Sequence, residues 1–108
     1  MKKLKANRLS IITALLFTGS TLLYGGSEGD TESNVYYGDL AGVNLDGTGT
    51  FNVFVGKFAG SNTTSGANNT FSGYASGYEN TTGLYNTFNG AFSGYHSTTG
   101  SFNMFNGF

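Results

Sequence analysis

Broken before each Asn at 69, 86 and 103, residues 69–108 read NTFSGYASGYENTTGLY, NTFNGAFSGYHSTTGSF and NMFNGF. The breaks recur at an equal step of 17. Another step of 17 toward the N-terminus reaches Asn52, which opens NVFVGKFAG; a further step of 18 reaches Asn34, which opens NVYYGDLAG. Self-similarity at a fixed short period is the signature of a repeat architecture, and it decides the fold class before any single residue is read. Five columns recur. The Asn column is Asn34, Asn52, Asn69, Asn86 and Asn103. Two places on stands an aromatic column of Tyr36, Phe54, Phe71, Phe88 and Phe105. Four places on is Gly38, Gly56, Gly73, Gly90 and Gly107. Eight places on is Gly42, Gly60, Gly77 and Gly94. Fourteen places on is Gly66, Gly83 and Gly100, which Gly49 joins if the first coil carries one extra residue near Asp46.

This unit is too short for the helical repeats, which run to roughly 33 residues or more. Glycine at three fixed places per unit would also cost a helix about 1 kcal/mol each. Glycine is cheap where the backbone turns through positive φ, so the three glycine columns are expected to mark corners. Short strands are expected between corners, at places 0 to 3 and again near 5 to 7. Side chains alternate along a strand, so the Asn and the aromatic two places later share one face. Leu40, Phe58, Ala75 and Phe92, six places after each Asn, are expected to form a second inward apolar column. Stacked at about 4.8 Å, each column becomes a ladder of rings or of hydrogen-bonded amides. The fold class is therefore all-β, a parallel β-solenoid or β-roll of 17-residue coils. Each coil offers about two inward apolar residues, so a lone coil cannot be stable. Outward aromatics such as Tyr74, Tyr78, Tyr85, Tyr95 and Phe102 favour association into a trimer.

Composition agrees. Gly, Asn, Thr and Ser number 18, 12, 14 and 11, which together make 55 of 108. Such a mixture suggests disorder, yet disordered chains are poor in aromatics and rich in charge. Here Phe and Tyr number 10 and 7, and only 10% of residues are charged. Cysteine is absent, which excludes a disulfide framework and a thiolate metal site. A single His, His96, cannot form a histidine metal cluster. Four of the five basic residues (Lys2, Lys3, Lys5, Arg8) precede residue 9, and all six acids follow residue 27. The repeat body is acidic and offers no electrostatic footprint for nucleic acid.

The basic leader, the mostly apolar run from Leu9 to Tyr24 and the small residues Gly25, Gly26 and Ser27 have the order of a secretory signal peptide. Ser20 and Gly25 both suit cleavage. The expected organisation is a signal peptide over 1–25 that contains an N-terminal signal helix, an acidic linker over 26–33 and solenoid repeats over 34–108. Membrane contact is expected only through the signal peptide. The coil opened by Asn103 stops at Phe108, short of its own x-[AS]-G. Either the array belongs to a longer chain, or its open edge stacks head to tail on another copy.

The run NTFSGYASGYENTTGLYNTFNGAFSGYHSTTGSFNMFNGF resembles the repeats of large bacterial surface and phage tail-fibre proteins. It is also similar in logic to the heads of trimeric autotransporter adhesins, which stack short Gly-punctuated repeats into a trimeric β-roll. The resemblance covers residues 34–108 and implies a secreted, extracellular cell-surface, fibrous and adhesive role. The implied partners are the chain itself, as homo-oligomer or stacked filament, and a host surface or glycan.

No cofactor, metal site or catalytic constellation is expected. Ser, Asp and His occur, but no spacing brings them together, so the chain is not read as an enzyme. Asp46-Gly-Thr-Gly lacks the carboxylates of a calcium loop and is read as a turn. One alternative belongs to another class. Thr64, Thr81 and Thr98 align one per coil and could present a hydroxyl ladder to ice or a polysaccharide. Tyr74, Tyr78 and Tyr95 could add a surface on which sugars stack.

Overall fold

A computed structural model describes residues 34–108 together with the backbone of Leu23–Gly25. The rest of the expected leader and the linker over 26–33 lie outside the described residues. Among the described residues six short strands form one sheet in chain order: β1 (Leu23–Gly25), β2 (Val35–Tyr37), β3 (Val53–Val55), β4 (Thr70–Ser72), β5 (Thr87–Asn89) and β6 (Met104–Asn106). From β2 to β6 every pairing is parallel, and the register repeats the sequence period. Tyr36 lies opposite Phe54, Phe54 opposite Phe71, Phe71 opposite Phe88 and Phe88 opposite Phe105. The chain is a parallel β-solenoid of about four turns, and no helix occurs among the described residues. β1 is the antiparallel member, with Tyr24 opposite Tyr36. Leu23–Gly25, at the end of the expected signal segment, supply β1, and the expected signal helix lies outside the described residues.

Each repeat strand sends its middle residue inward. Phe54, Phe71 and Phe88 are wholly buried, while their strand neighbours on either side face outward. The rings stack with centroids 5.0, 4.8 and 4.8 Å apart and planes within 10° from Phe54 through Phe105. That spacing matches the separation of adjacent strands, about 4.8 Å. Identical residues at identical places therefore stack without adjustment. Tyr36 breaks the series, tilted 36° from Phe54 with a 6.1 Å separation.

The second strand expected at places 5 to 7 does not form. That segment is a chain of overlapping turns. In the second coil Ala59 N–H donates to Gly56 O, Ser61 N–H to Phe58 O and Thr63 N–H to Gly60 O. Phe58 and Gly60 are left-handed, at φ 63° and 58°. Two turns with a left-handed third residue reverse the side-chain direction that a strand would give. The expected inward column is accordingly corrected. Leu40 and Phe92 are exposed at 46% and 41%, and only Ala75 of that column is buried. The small residue one place later turns inward instead: Ala41, Ala59, Ser76 and Ser93 are all buried.

The glycine columns serve two purposes rather than one. Gly73 has φ +131°, and a Cβ there would lie 2.6 Å from the carbonyl carbon and oxygen of Gly90 in the next coil. The column fourteen places after Asn is not left-handed, which corrects its reading as a positive-φ corner. Gly66 is required by space: a Cβ would lie 2.8 Å from Gly83 O and 2.9 Å from the Thr63 methyl. The first coil takes its extra residue at Gly47-Thr48, where the second coil has Ser65 alone. Gly47 turns at φ 91°, and Asp46 N–H still reaches Thr64 O at 3.1 Å.

Candidate functional surface

The Asn ladder is interior. Asn34, Asn52, Asn69 and Asn86 are buried, and Asn103 is half-buried. Its bonding differs from a simple amide-to-amide ladder. Each Oδ1 accepts the backbone N–H of the next Asn, at 2.8 Å from Asn52, 2.9 Å from Asn69, 2.9 Å from Asn86 and 3.0 Å from Asn103. Each Nδ2 donates across its own coil to a corner carbonyl: Asn34 to Gly49, Asn52 to Gly66, Asn69 to Gly83 and Asn86 to Gly100, at 2.7–2.8 Å. Direct amide-to-amide bonds occur at two steps, Asn86 to Asn69 and Asn103 to Asn86. One side chain thus ties a coil to its neighbour and also closes it. Ser76 and Ser93 extend the bonding between coils by donating to Phe88 O and Phe105 O, at 3.1 and 3.2 Å. Among the described residues, the buried side-chain polar atoms without a partner are Thr63 Oγ1 and Asn80 Oδ1.

Two outward surfaces remain. The strand face presents Val35, Val53, Thr70, Thr87 and Met104 in one row. Tyr37, Val55, Ser72, Asn89 and Asn106 form the row beside it, which follows from alternation along each strand. The second surface is an aromatic ridge on the turn side. Tyr78 and Tyr95 stack at 4.9 Å, and Tyr74 meets Phe92 edge to face at 5.2 Å. Phe58 meets both Tyr74 and Tyr78 edge to face. Phe58 and Phe92 were expected inside; their left-handed backbone turns them out to join Tyr74, Tyr78 and Tyr95. Sequence columns alone do not reveal this, because the reversal depends on φ.

A shallow cleft of about 370 Å³ at one end of the ridge is lined by Phe92, Tyr95, His96 and Phe108. His96 Nδ1 lies 2.7 Å from Glu79 Oε2, one coil away in the same column. Desolvation against its neighbours raises the Tyr95 phenol pKa, with smaller contributions from Tyr78, Glu79 and Tyr74. Lys57 pairs with Asp39 at 3.4 Å between the first two coils. The Thr column is engaged along the axis: Thr64 and Thr81 hydroxyls donate to Thr81 O and Thr98 O, each at 3.1 Å. No group of three or more His, Asp or Glu side chains that could hold a metal occurs among the described residues.

Comparison of the chain with protein families, curated proteins and solved structures finds no match.

Proposed function

We propose that the chain is an exported, non-enzymatic repeat protein that acts as a structural and adhesive fibre subunit at the cell surface. One observation carries this reading: each buried Asn Oδ1, the inward Ser76 and Ser93 and the ring stack make contacts from coil to coil. The Asn ladder, the inward serines and the ring stack all hold one coil to the next. A solenoid of this kind is a stacking unit, and its stability grows with the number of neighbours. The leader of Lys2 to Arg8 followed by Leu9 to Tyr24 supports export. The aromatic ridge of Phe58, Tyr74, Tyr78, Phe92 and Tyr95 supplies the apolar contact area an adhesive surface needs.

Expression of the full chain in a bacterial host, followed by fractionation and N-terminal sequencing, tests the export half. Exported protein beginning after the apolar run is expected. Full-length protein confined to the cytoplasm would overturn it. Electron microscopy of the exported protein tests the fibre half, with extended particles expected and dispersed monomers contrary to it.

A further inference from the structure

We infer that β1 is an intramolecular cap on the assembly edge of the solenoid, and that a second copy of the chain takes its place when the leader is removed. This rests on the fibre reading above and adds its partner, its register and its control. β2 has two edges. One pairs with β3 in the parallel register of the repeats; the other is covered by β1, in the opposite sense. An edge strand presents unpaired N–H and C=O groups to any other strand. The geometry of the β2 edge already suits a parallel partner, because four successive parallel steps are built on the same backbone.

The partner strand is β6, which stands at the far end of the same sheet. Its middle residue Phe105 is 43% exposed, where Phe54, Phe71 and Phe88 are 0% exposed. Every coil passes the same set of groups to the next: an Asn Oδ1 for a backbone N–H, a ring face for a ring, and a strand edge. Asn103, Phe105 and Met104–Asn106 carry that set outward, and Asn34, Tyr36 and Val35–Tyr37 are the matching receivers. A second copy seated there places Met104 beside Val35, Phe105 on Tyr36 and Asn106 beside Tyr37. The contact is head to tail and does not close, so it extends indefinitely. Residues 80–108 carry no Lys, Arg, Asp or Glu.

β1 competes because it is tethered, which gives it a high effective concentration. Its pairing spans only Leu23–Gly25, and that segment brings no Asn to continue the ladder. A second copy offers a whole coil with the Asn column in register. Cleavage after Gly25 removes β1 together with the leader. Export then releases the edge only where assembly is wanted.

The full chain tests this, because it contains no Cys of its own. Leu23 and Tyr37 are register partners. Paired Cα atoms of antiparallel strands lie about 4.5–5.5 Å apart, within disulfide reach. At concentrations high enough for the parent chain to form fibres after a lag, the double variant Leu23→Cys, Tyr37→Cys is expected to stay dispersed when oxidised and to grow like the parent after reduction, followed by light scattering and electron microscopy. Tyr24→Pro, which breaks β1 outside the repeats, is expected to form fibres without a lag at concentrations where the parent chain stays dispersed. Adding Phe105→Arg to Tyr24→Pro is expected to abolish growth. Equal growth of the oxidised and reduced double variant overturns the cap and leaves the fibre reading standing. Absence of fibres from every variant, Tyr24→Pro included, overturns the fibre reading as well.

Discussion

At the residue scale, Asn69 shows why a small amide recurs at every coil. Its Oδ1 accepts from Asn86 N–H at 2.9 Å and its Nδ2 donates to Gly83 O at 2.8 Å, both in a buried setting. An unmet buried backbone group costs about 1–3 kcal/mol. Asn69→Ala leaves Asn86 N–H unmet and Gly83 O with only the longer bond from Asn80 Nδ2 at 3.4 Å, and is expected to lower stability by about 2 kcal/mol, measured by thermal or denaturant unfolding. Asn69→Asp keeps the acceptor but loses the donor and buries a charge. Burial raises a carboxyl pKa, so this variant should be most stable in acid and lose stability as pH rises through the folded value. Phe51 is a different case. It is left-handed at φ 59° and 58% exposed, in the column where the second coil has Asn68 at φ 58°. A bulky residue there costs about 1–2 kcal/mol, which Asn largely escapes. Phe51→Asn is expected to raise the unfolding midpoint by several degrees.

At the scale of the element, turns rather than strands fill most of each coil. The strands themselves are only Val53–Val55, Thr70–Ser72 and their equivalents. The recurring apolar column two places after each first glycine, at Leu40, Phe58, Ala75 and Phe92, suggests a second strand. The φ values at Phe58 and Gly60 make that stretch successive turns and bring Phe58 outward. Sequence patterning does not encode that left-handed φ, which leaves Lys57 exposed and Phe58 half-buried and turns Ala59 inward. Glycine matters most where coils touch. Gly73→Ala would press a Cβ against the Gly90 carbonyl at positive φ, and a loss of about 3 kcal/mol or more is expected. Circular dichroism and unfolding of that variant check it. The inserted turn of the first coil adds a pH dependence. The Thr48 hydroxyl, and then its backbone N–H, donate to Asp46 Oδ1 and hold the carboxyl below its ordinary pKa of 3.8. The folded pKa is below the unfolded one, so the contribution is present above pH 3.8 and is lost as pH falls through the folded value. Asp46→Asn should therefore remove part of the acid sensitivity seen in unfolding midpoints below that pH.

At the scale of the whole molecule, stability is a sum over neighbouring coils. The coils are interchangeable because β3, β4, β5 and β6 follow each other in a constant register. Inserting a second copy of residues 69–85 after Tyr85 is expected to raise the unfolding midpoint and preserve the β-sheet spectrum. Inserting the same copy without Thr70 is expected to lower the midpoint. Thr70 separates Asn69 from Phe71 in the strand, and its loss turns one of the two outward, unlike the extra residue of the first coil, which lies in the turn at Gly47-Thr48.

The sequence alone determined the period, the parallel register and the inward Asn and Phe columns, because identical side chains at a constant step along the chain have one economical arrangement, stacked on themselves. It also located the extra residue near Asp46, since Gly49 restores the glycine column three positions later. Tertiary structure decided what the columns do. Whether Asn bonds to its counterpart amide or to the next backbone N–H depends on distances across the coil. Whether Phe58 and Phe92 join the core or the ridge depends on a left-handed φ that L-residues seldom adopt and that apolar patterning does not encode. The cap formed by β1 lies furthest from sequence reading. Its three residues fall in the expected leader, and only the pairing of Tyr24 with Tyr36 shows that they also occupy the outer edge of β2.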